Sequence, residues 1–206
     1  MNRRRCLMAL LWAGACMGSA AAQEPQFLGR TRQGWVGQLE SGFRQQRSHA
    51  AWGLQEFAAE QLNSQNAVIW LNELLILTEN KSPSVRYWGT IGLGRMIAKL
   101  QPASPVRGKA LESLPQLLKD LSPGVRIAAA DALEQASDKS AALGVLVEAM
   151  AHPQDAVRIQ AVTALERWGE AARPAAQTLR SAAGDSSEYV KRIAARALAK
   201  LDGKSP

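Results

Sequence analysis

The feature that most constrains this chain is a nine-residue pattern that returns along it. Val85-Arg86-Tyr87-Trp88-Gly89-Thr90-Ile91-Gly92-Leu93 aligns with Val125-Arg126-Ile127-Ala128-Ala129-Ala130-Asp131-Ala132-Leu133 and with Val157-Arg158-Ile159-Gln160-Ala161-Val162-Thr163-Ala164-Leu165. A fourth copy is Val190-Lys191-Arg192-Ile193-Ala194-Ala195-Arg196-Ala197-Leu198, and Gln46-Arg47-Ser48-His49-Ala50-Ala51-Trp52-Gly53-Leu54 is a degraded first one. The leading positions are 39, 40, 32 and 33 residues apart, the length of a two-helix unit. A unit of that size cannot bury its apolar side alone, so the chain must fold by stacking units.

The phase of the pattern identifies the second helix of each unit. From the valine position, steps of 0, +4, +7, +8 and +11 fall on one helical face. That face carries Val, then small Ala or Gly, then Leu, and small residues let helices approach closely. Eleven positions upstream of each leading residue stand Trp35, Leu74, Leu114, Leu146 and Leu179, which suits a preceding helix packed on it. Outside the first residues no run alternates with period two, and Ala, Leu, Gln, Glu, Lys and Arg abound, so helix and not strand is expected.

The expected first helices span 67–79, 109–120, 140–151 and 172–183, and the second helices 44–62, 83–99, 123–136, 154–168 and 187–201. Segment 28–42 reads as a weak first helix or a cap. Ser82-Pro83 and Ser122-Pro123 place a hydroxyl acceptor at an N-cap and a proline at the first helical position, where its missing N–H costs nothing; Ser187-Glu188 does the same less completely. The longest connection, 101–108, reads as a surface loop, and no linker divides the array.

Residues 1–22 read as a secretory signal peptide. Arg3, Arg4 and Arg5 precede an apolar stretch from Cys6 to Met17, and Ala20-Ala21-Ala22 offers small residues for cleavage before Gln23. A second processing route stays open: Ala13-Gly14-Ala15-Cys16 is similar to a bacterial lipoprotein box, which would leave the product membrane-anchored through a lipid on Cys16. The domain reading is therefore 1–22 leader, 23–42 N-terminal segment or capping helix, 43–201 repeat array and 202–206 tail, the product being periplasmic or extracellular.

Beyond residue 22 the chain carries 22 basic and 18 acidic residues, a net charge of +4, because the leader holds three arginines and no acid. Nothing concentrates this mild charge into a stripe with base-stacking aromatics, so nucleic acid is not an expected partner. Both cysteines, Cys6 and Cys16, lie in the leader, which removes disulfides, thiolate nucleophiles and zinc–thiolate sites from the remainder. The two histidines, His49 and His152, lie three repeats apart and do not converge on a metal or a triad. No cofactor, metal or catalytic residue is assigned, and the chain is expected not to be an enzyme.

The repeats resemble HEAT-repeat proteins, whose second helix carries D-P-x-x-x-V-R-x-x-A-x-x-A-L. More narrowly, Ser84-Val85-Arg86-Tyr87-Trp88-Gly89, Pro123 to Leu133, Gly169-Glu170-Ala171-Ala172-Arg173-Pro174-Ala175 and Glu188-Tyr189-Val190-Lys191-Arg192 look like HEAT modules appended to bacterial secreted sulfatases. The resemblance implies an all-α, right-handed α-solenoid of about five helical hairpins. It implies no sulfatase, since Ala103-Ser104-Pro105-Val106-Arg107 has alanine where the oxidisable Cys or Ser must stand. Bile-pigment lyases also contain HEAT-like repeats, but the chain offers no pigment-handling constellation, and fold alone does not carry function.

The resemblance also gives the recurrent cations Arg47, Arg86, Arg126, Arg158 and Lys191 a structural role, with Asp120 and Asp185 as natural partners in neighbouring turns. Asn80, Asp120, His152 and Asp185 occupy equivalent turn positions. Opposite the buried stripe, Trp52, Tyr87, Ile91, Ile127 and Ile159 are heavier and more apolar than a solvated face requires. With Arg192 they form the candidate partner-binding set, set against a second reading in which they pack between neighbouring helices. The expected function is an exported protein-interaction scaffold using its concave face for an unknown protein partner. The alternative is a module binding a sulfated or acidic glycan, suggested by Tyr87, Trp88 and the arginine row, with a sulfatase as companion.

Overall fold

Apolar faces that recur every 32–40 residues leave each hairpin two sides to cover, and the chain covers them by lining hairpins up. The computed structural model describes residues 25–39, 43–63, 65–136 and 139–203; the leader, Cys16 and the final three residues lie outside them. Five helical pairs follow in order: α1 (Arg32–Leu39) with α2 (Arg44–Gln61), α3 (Ala67–Thr78) with α4 (Pro83–Lys99), α5 (Pro105–Ser113) with α6 (Pro123–Ala132), α7 (Ser140–Ala149) with α8 (Asp155–Trp168), and α9 (Ala176–Ala182) with α10 (Glu188–Leu201). The second helices α2, α4, α6, α8 and α10 pack side by side as one layer, and the first helices form the other, more loosely joined layer. The result is an all-α solenoid.

The core lies between the layers. Trp35, Leu74, Leu114, Leu146 and Leu179 are all buried, as are Val85, Val125, Val157 and Val190 at the leading positions of α4, α6, α8 and α10. Gln46, in the same place of α2, is exposed, so the degraded copy begins its buried face one turn later, at Ala50 and Ala51. The helical steps of the pattern are thus the packing steps of the fold.

Several expectations need correction. A short antiparallel hairpin precedes α1, with β1 (Gln26–Phe27) paired to β2 (Arg30–Thr31) so that Gln26 faces Thr31 and Phe27 faces Arg30. Its turn holds Leu28 at φ 49° and Gly29 at φ 72°, left-handed angles suited to a tight hairpin. Of the segment read as loop, only 101–104 is one, because Ser104-Pro105 starts α5 just as the other Ser-Pro pairs start helices. The expected helix 109–120 is broken at Pro115 into α5 and a 3₁₀ turn, Pro115–Lys119. Likewise 172–183 is a 3₁₀ turn, Gly169–Ala175, containing Pro174, followed by α9. Proline removes the N–H that an α-helix needs at these places. The end of 123–136 tightens into a 3₁₀ turn, Leu133–Gln135.

The expected serine caps also differ. Ser82, Ser122 and Ser187 stand at N-cap positions with extended backbone, yet none makes a side-chain capping bond. The residue two positions earlier supplies the turn's acceptor instead. Asn80 Oδ1 accepts from the Ser82 N–H at 2.9 Å, and Asp120 Oδ1 from Ser122 and Asp185 Oδ1 from Ser187 at 2.7 Å each. His152 Nδ1 does the same for Gln154 at 3.1 Å. These are Asx-type turns, which fix the chain as it enters each second helix.

Candidate functional site

Two systems of side chains run along the second-helix layer, one joining the repeats and one facing outward. The joining system begins with the turns just described. Arg86, one step after the valine of α4, reaches forward to the next turn and grips Asp120 with Nε and Nη2 at 2.7 and 2.8 Å, while its Nη1 donates to the carbonyls of Asn80 and Lys81 at 2.9 and 3.1 Å. Arg158 repeats this on Asp185 at 2.8 and 2.9 Å and on the His152 and Pro153 carbonyls at 2.9 and 3.1 Å. Each guanidinium thereby ties its own turn to the following one in the planar, two-point geometry that arginine offers carboxylates.

The electrostatics follow from that geometry. Partial burial pushes the Asp120 carboxyl up, but hydrogen bonds from Arg86 and the Ser122 N–H outweigh it and hold its pKa below the ordinary value. The Arg158 hydrogen bonds do the same for Asp185. Between these rungs the ladder changes. The turn that should offer an acid to Arg126 carries His152, and Arg126 bonds the carbonyl of Asp120 at 2.8 Å without a carboxylate partner among the described residues. Lys191, in the last repeat, pairs within its own helix to Glu188 at 2.6 Å. Arg47 lies half-buried at the equivalent place of α2.

The outward-facing system contains most of the candidate contact residues. Tyr87 and Ile91 of α4, Ile127 of α6 and Ile159 of α8 line one cleft of about 210 Å³, rimmed by Asp131 and Arg167. Ile127 is only 4% exposed and forms its floor; the other three are half-buried walls. Trp52 belongs to a separate cleft with Trp88, one helix pair earlier. Arg192 is not brought to either: it stands on α10 with its guanidinium over the Tyr189 ring at 5.2 Å.

Sequence reading missed a second set of ion pairs that crosses the same face. Glu56 of α2 pairs with Arg95 of α4 at 2.6 Å, Asp131 of α6 with Arg167 of α8, and Glu166 of α8 with Arg196 and Lys200 of α10 at 2.8 and 3.1 Å. The signal was present, since Arg95, Arg167 and Lys200 share the +10 step of their repeats, the side that faces the preceding unit. Burial raises the Asp131 carboxyl above its ordinary pKa despite Arg167, whereas the Arg196 hydrogen bonds lower Glu166. His49 was placed correctly on α2, but its stacking on Trp52 at 5.3 Å and its tilted contact with Trp35 at 5.4 Å between ring centres were not foreseen.

Among the described residues no group of three or more His, Cys, Asp or Glu side chains is arranged to hold a metal ion, and no helix is long and apolar enough to cross a membrane. The face offers shallow apolar clefts, one of them bordered by the Asp131–Arg167 pair.

Comparison with known proteins agrees with this architecture. Among solved structures the chain is similar to the complex of CpcE and CpcF of phycocyanin lyase from Nostoc sp. PCC7120, at 22% identity and a TM-score of 0.56, over 89% of this chain and 68% of that one. A designed armadillo repeat protein is similar at 19% identity with a TM-score of 0.38, over 82% of this chain and 99% of the other. A comparison with curated proteins gives no match. The likeness to the CpcE–CpcF complex bears on the fold alone. The family comparison goes further: the description "HEAT repeats" matches residues 71–166 and 143–206, the stretch that holds the Arg–Asp ladder and the apolar cleft, and the chain belongs to the HEAT-repeat family.

Proposed function

We propose that this protein is an exported, non-enzymatic scaffold that binds a protein partner along its second-helix face. The observation that carries the reading is the cleft of Tyr87, Ile91, Ile127 and Ile159, which runs across the second helices of three successive repeats with Asp131 and Arg167 at its rim. An apolar floor with a charged border is the usual anatomy of a protein-binding patch. The structural neighbour CpcE–CpcF is itself an association of two chains, which supports a partner of the same kind. Export rests on the leader described above, and cleavage after Ala22 is preferred to lipidation at Cys16 because the small-residue triplet directly precedes polar Gln23-Glu24-Pro25.

The test is affinity capture from the envelope fraction of the source organism, comparing the natural chain with an Ile91→Glu/Ile159→Glu variant. A single polypeptide held by the natural chain and released by the variant, with the helical circular dichroism of the two unchanged, is the expected result. Equal retention by both would overturn the assignment of this face.

A further inference from the structure

The second cleft, between α2 and α4, differs in chemistry from the one just assigned. Gln45, Ser48, His49 and Trp52 line it from α2 and Trp88 from α4, around a volume of about 530 Å³. Among the described residues no charged side chain lines it, and apolar surface predominates. The rings are held in place by neighbours: Trp52 stacks on His49 at 5.3 Å and 29° and packs on Phe27 at 5.8 Å, and Trp88 meets Tyr87 edge-on at 5.1 Å. The fringe is polar and unpaired. Among the described residues the Trp88 indole N–H, the Gln45 amide and the Ser48 hydroxyl make no hydrogen bond. Two fixed indoles on adjacent helices, bordered by unused donors and acceptors, make a site for a neutral ligand that has apolar faces and regularly spaced carbonyls.

We infer that this cleft binds an extended, proline-rich segment of a partner protein in the polyproline II conformation. The inference deepens the scaffold reading above and rests on it. A polyproline II helix repeats every three residues, about 9 Å, and packed helix axes lie about 8–10 Å apart. Prolines one turn apart therefore match the general spacing of packed helices, with one assigned to Trp52 on α2 and one to Trp88 on α4. Such a segment has no backbone N–H at its prolines and leaves its carbonyls free, which is what the Trp88 indole N–H, the Gln45 amide and the Ser48 hydroxyl can serve. The neutral lining also argues against an acidic or sulfated glycan here, since among the described residues no arginine or lysine lines the cleft.

The experiment uses the purified chain with two probes, an acetylated decaproline peptide and a neutral tetrasaccharide. Indole N–H resonances are followed by nuclear magnetic resonance, with Trp52 and Trp88 assigned through single Trp→Phe variants. The expected result is saturable movement of the Trp52 and Trp88 signals with the peptide, while those of buried Trp70 and Trp168 stay in place. Trp88→Ala, which leaves the His49–Trp52–Phe27 stack untouched, is expected to weaken peptide binding at least tenfold without loss of helical signal. No movement at millimolar peptide, undiminished binding by Trp88→Ala, or movement with the tetrasaccharide in place of the peptide would each overturn the inference. Because these residues lie outside the Ile91–Ile159 cleft, failure here with partner capture intact sinks this inference alone, whereas loss of capture sinks the scaffold reading.

Discussion

The two ends of the solenoid reach the same two-layer geometry by different packing. From α1 to α4 the repeat spacing is 39 residues and large side chains lie against glycine: a Cβ on Gly53 would sit 2.6 Å from the Trp35 ring, and one on Gly89 would sit 2.6 Å from Leu77 Cβ and 3.0 Å from that residue's backbone. From α7 to α10 the spacing is 32–33 residues; the repeat places of Trp35 and Gly53 are taken by Leu146 with Ala164 and by Leu179 with Ala197, and that of Gly89 by Ala161 and Ala194, all buried. A bulky side chain over a bare backbone fills the same volume as a leucine over an alanine. The first solution leaves less latitude, because a glycine closed over by backbone tolerates no addition.

The largest effects are expected where each solution keeps its anchor. Trp35→Ala and Leu165→Ala are each expected to lower the free energy of unfolding by about 2–5 kcal/mol, and Leu133→Ala by a similar amount, while a change at exposed Gln160 stays within about 0.5 kcal/mol. Denaturant titration checks this. Equal losses at Leu165 and Gln160 would mean the helix phase is wrong.

Gly89→Ala sharpens the comparison. Alanine adds about 1 kcal/mol of helix propensity, but the clash with Leu77 includes backbone, and overpacking costs about 1–3 kcal/mol; a net loss is expected. Gly53→Ala is expected to harm the natural chain and to be tolerated in a Trp35→Leu background, which converts the first interface toward the leucine–alanine kind. A double-mutant cycle with no coupling would break the equivalence of the two solutions.

Smaller effects follow from the ladder. Asp120 and Asp185 titrate below their ordinary values when folded, so the folded state binds fewer protons there. The stability they contribute is complete above the ordinary aspartate range and is lost as pH falls through the depressed values. Asp131, raised by burial, acts in the opposite sense, and acidification relieves part of its cost. Thermal unfolding against pH should therefore lose much of its acid-side slope in an Asp120→Asn/Asp185→Asn variant. His152→Asp, which offers Arg126 the carboxylate that Arg86 and Arg158 already have, is expected to raise stability by about 0.5–1 kcal/mol. A fall in melting temperature at neutral pH would show that the third turn does not share the geometry of the others.

How much of this was legible in the sequence depends on the kind of interaction. The buried stripe was, because Val, Ala and Leu at helical steps have one way to face a partner, and so were Trp35 and Leu179 eleven residues upstream of their repeats. The helix breaks at Pro115 and Pro174 were missed although the prolines were visible, since apolar spacing was allowed to outweigh a missing N–H. The β1–β2 hairpin was missed because two-residue strands have no period to read. At the candidate site, the outward apolar residues were identified by position, but whether they meet depends on how neighbouring helices are set beside one another. Tyr87, Ile91, Ile127 and Ile159 converge, Trp52 joins Trp88, and Arg192 stands apart, a distribution fixed by the inter-helix ion pairs as much as by the repeat.

The central claim is that the second-helix face is the working surface, and the molecule provides its own control. Elsewhere the chain also exposes apolar side chains, Ile76 of α3 in the first-helix layer at 62% and Leu121 in the turn before α6 at 94%. A photo-reactive amino acid placed at Ile91 or Ile159, and in separate chains at Ile76 or Leu121, would report contacts in the organism that makes the protein. The account predicts a discrete crosslinked adduct of one polypeptide from the Ile91 and Ile159 positions and none from the outer two. Adducts from Ile76 or Leu121, with the inner positions silent, would contradict it.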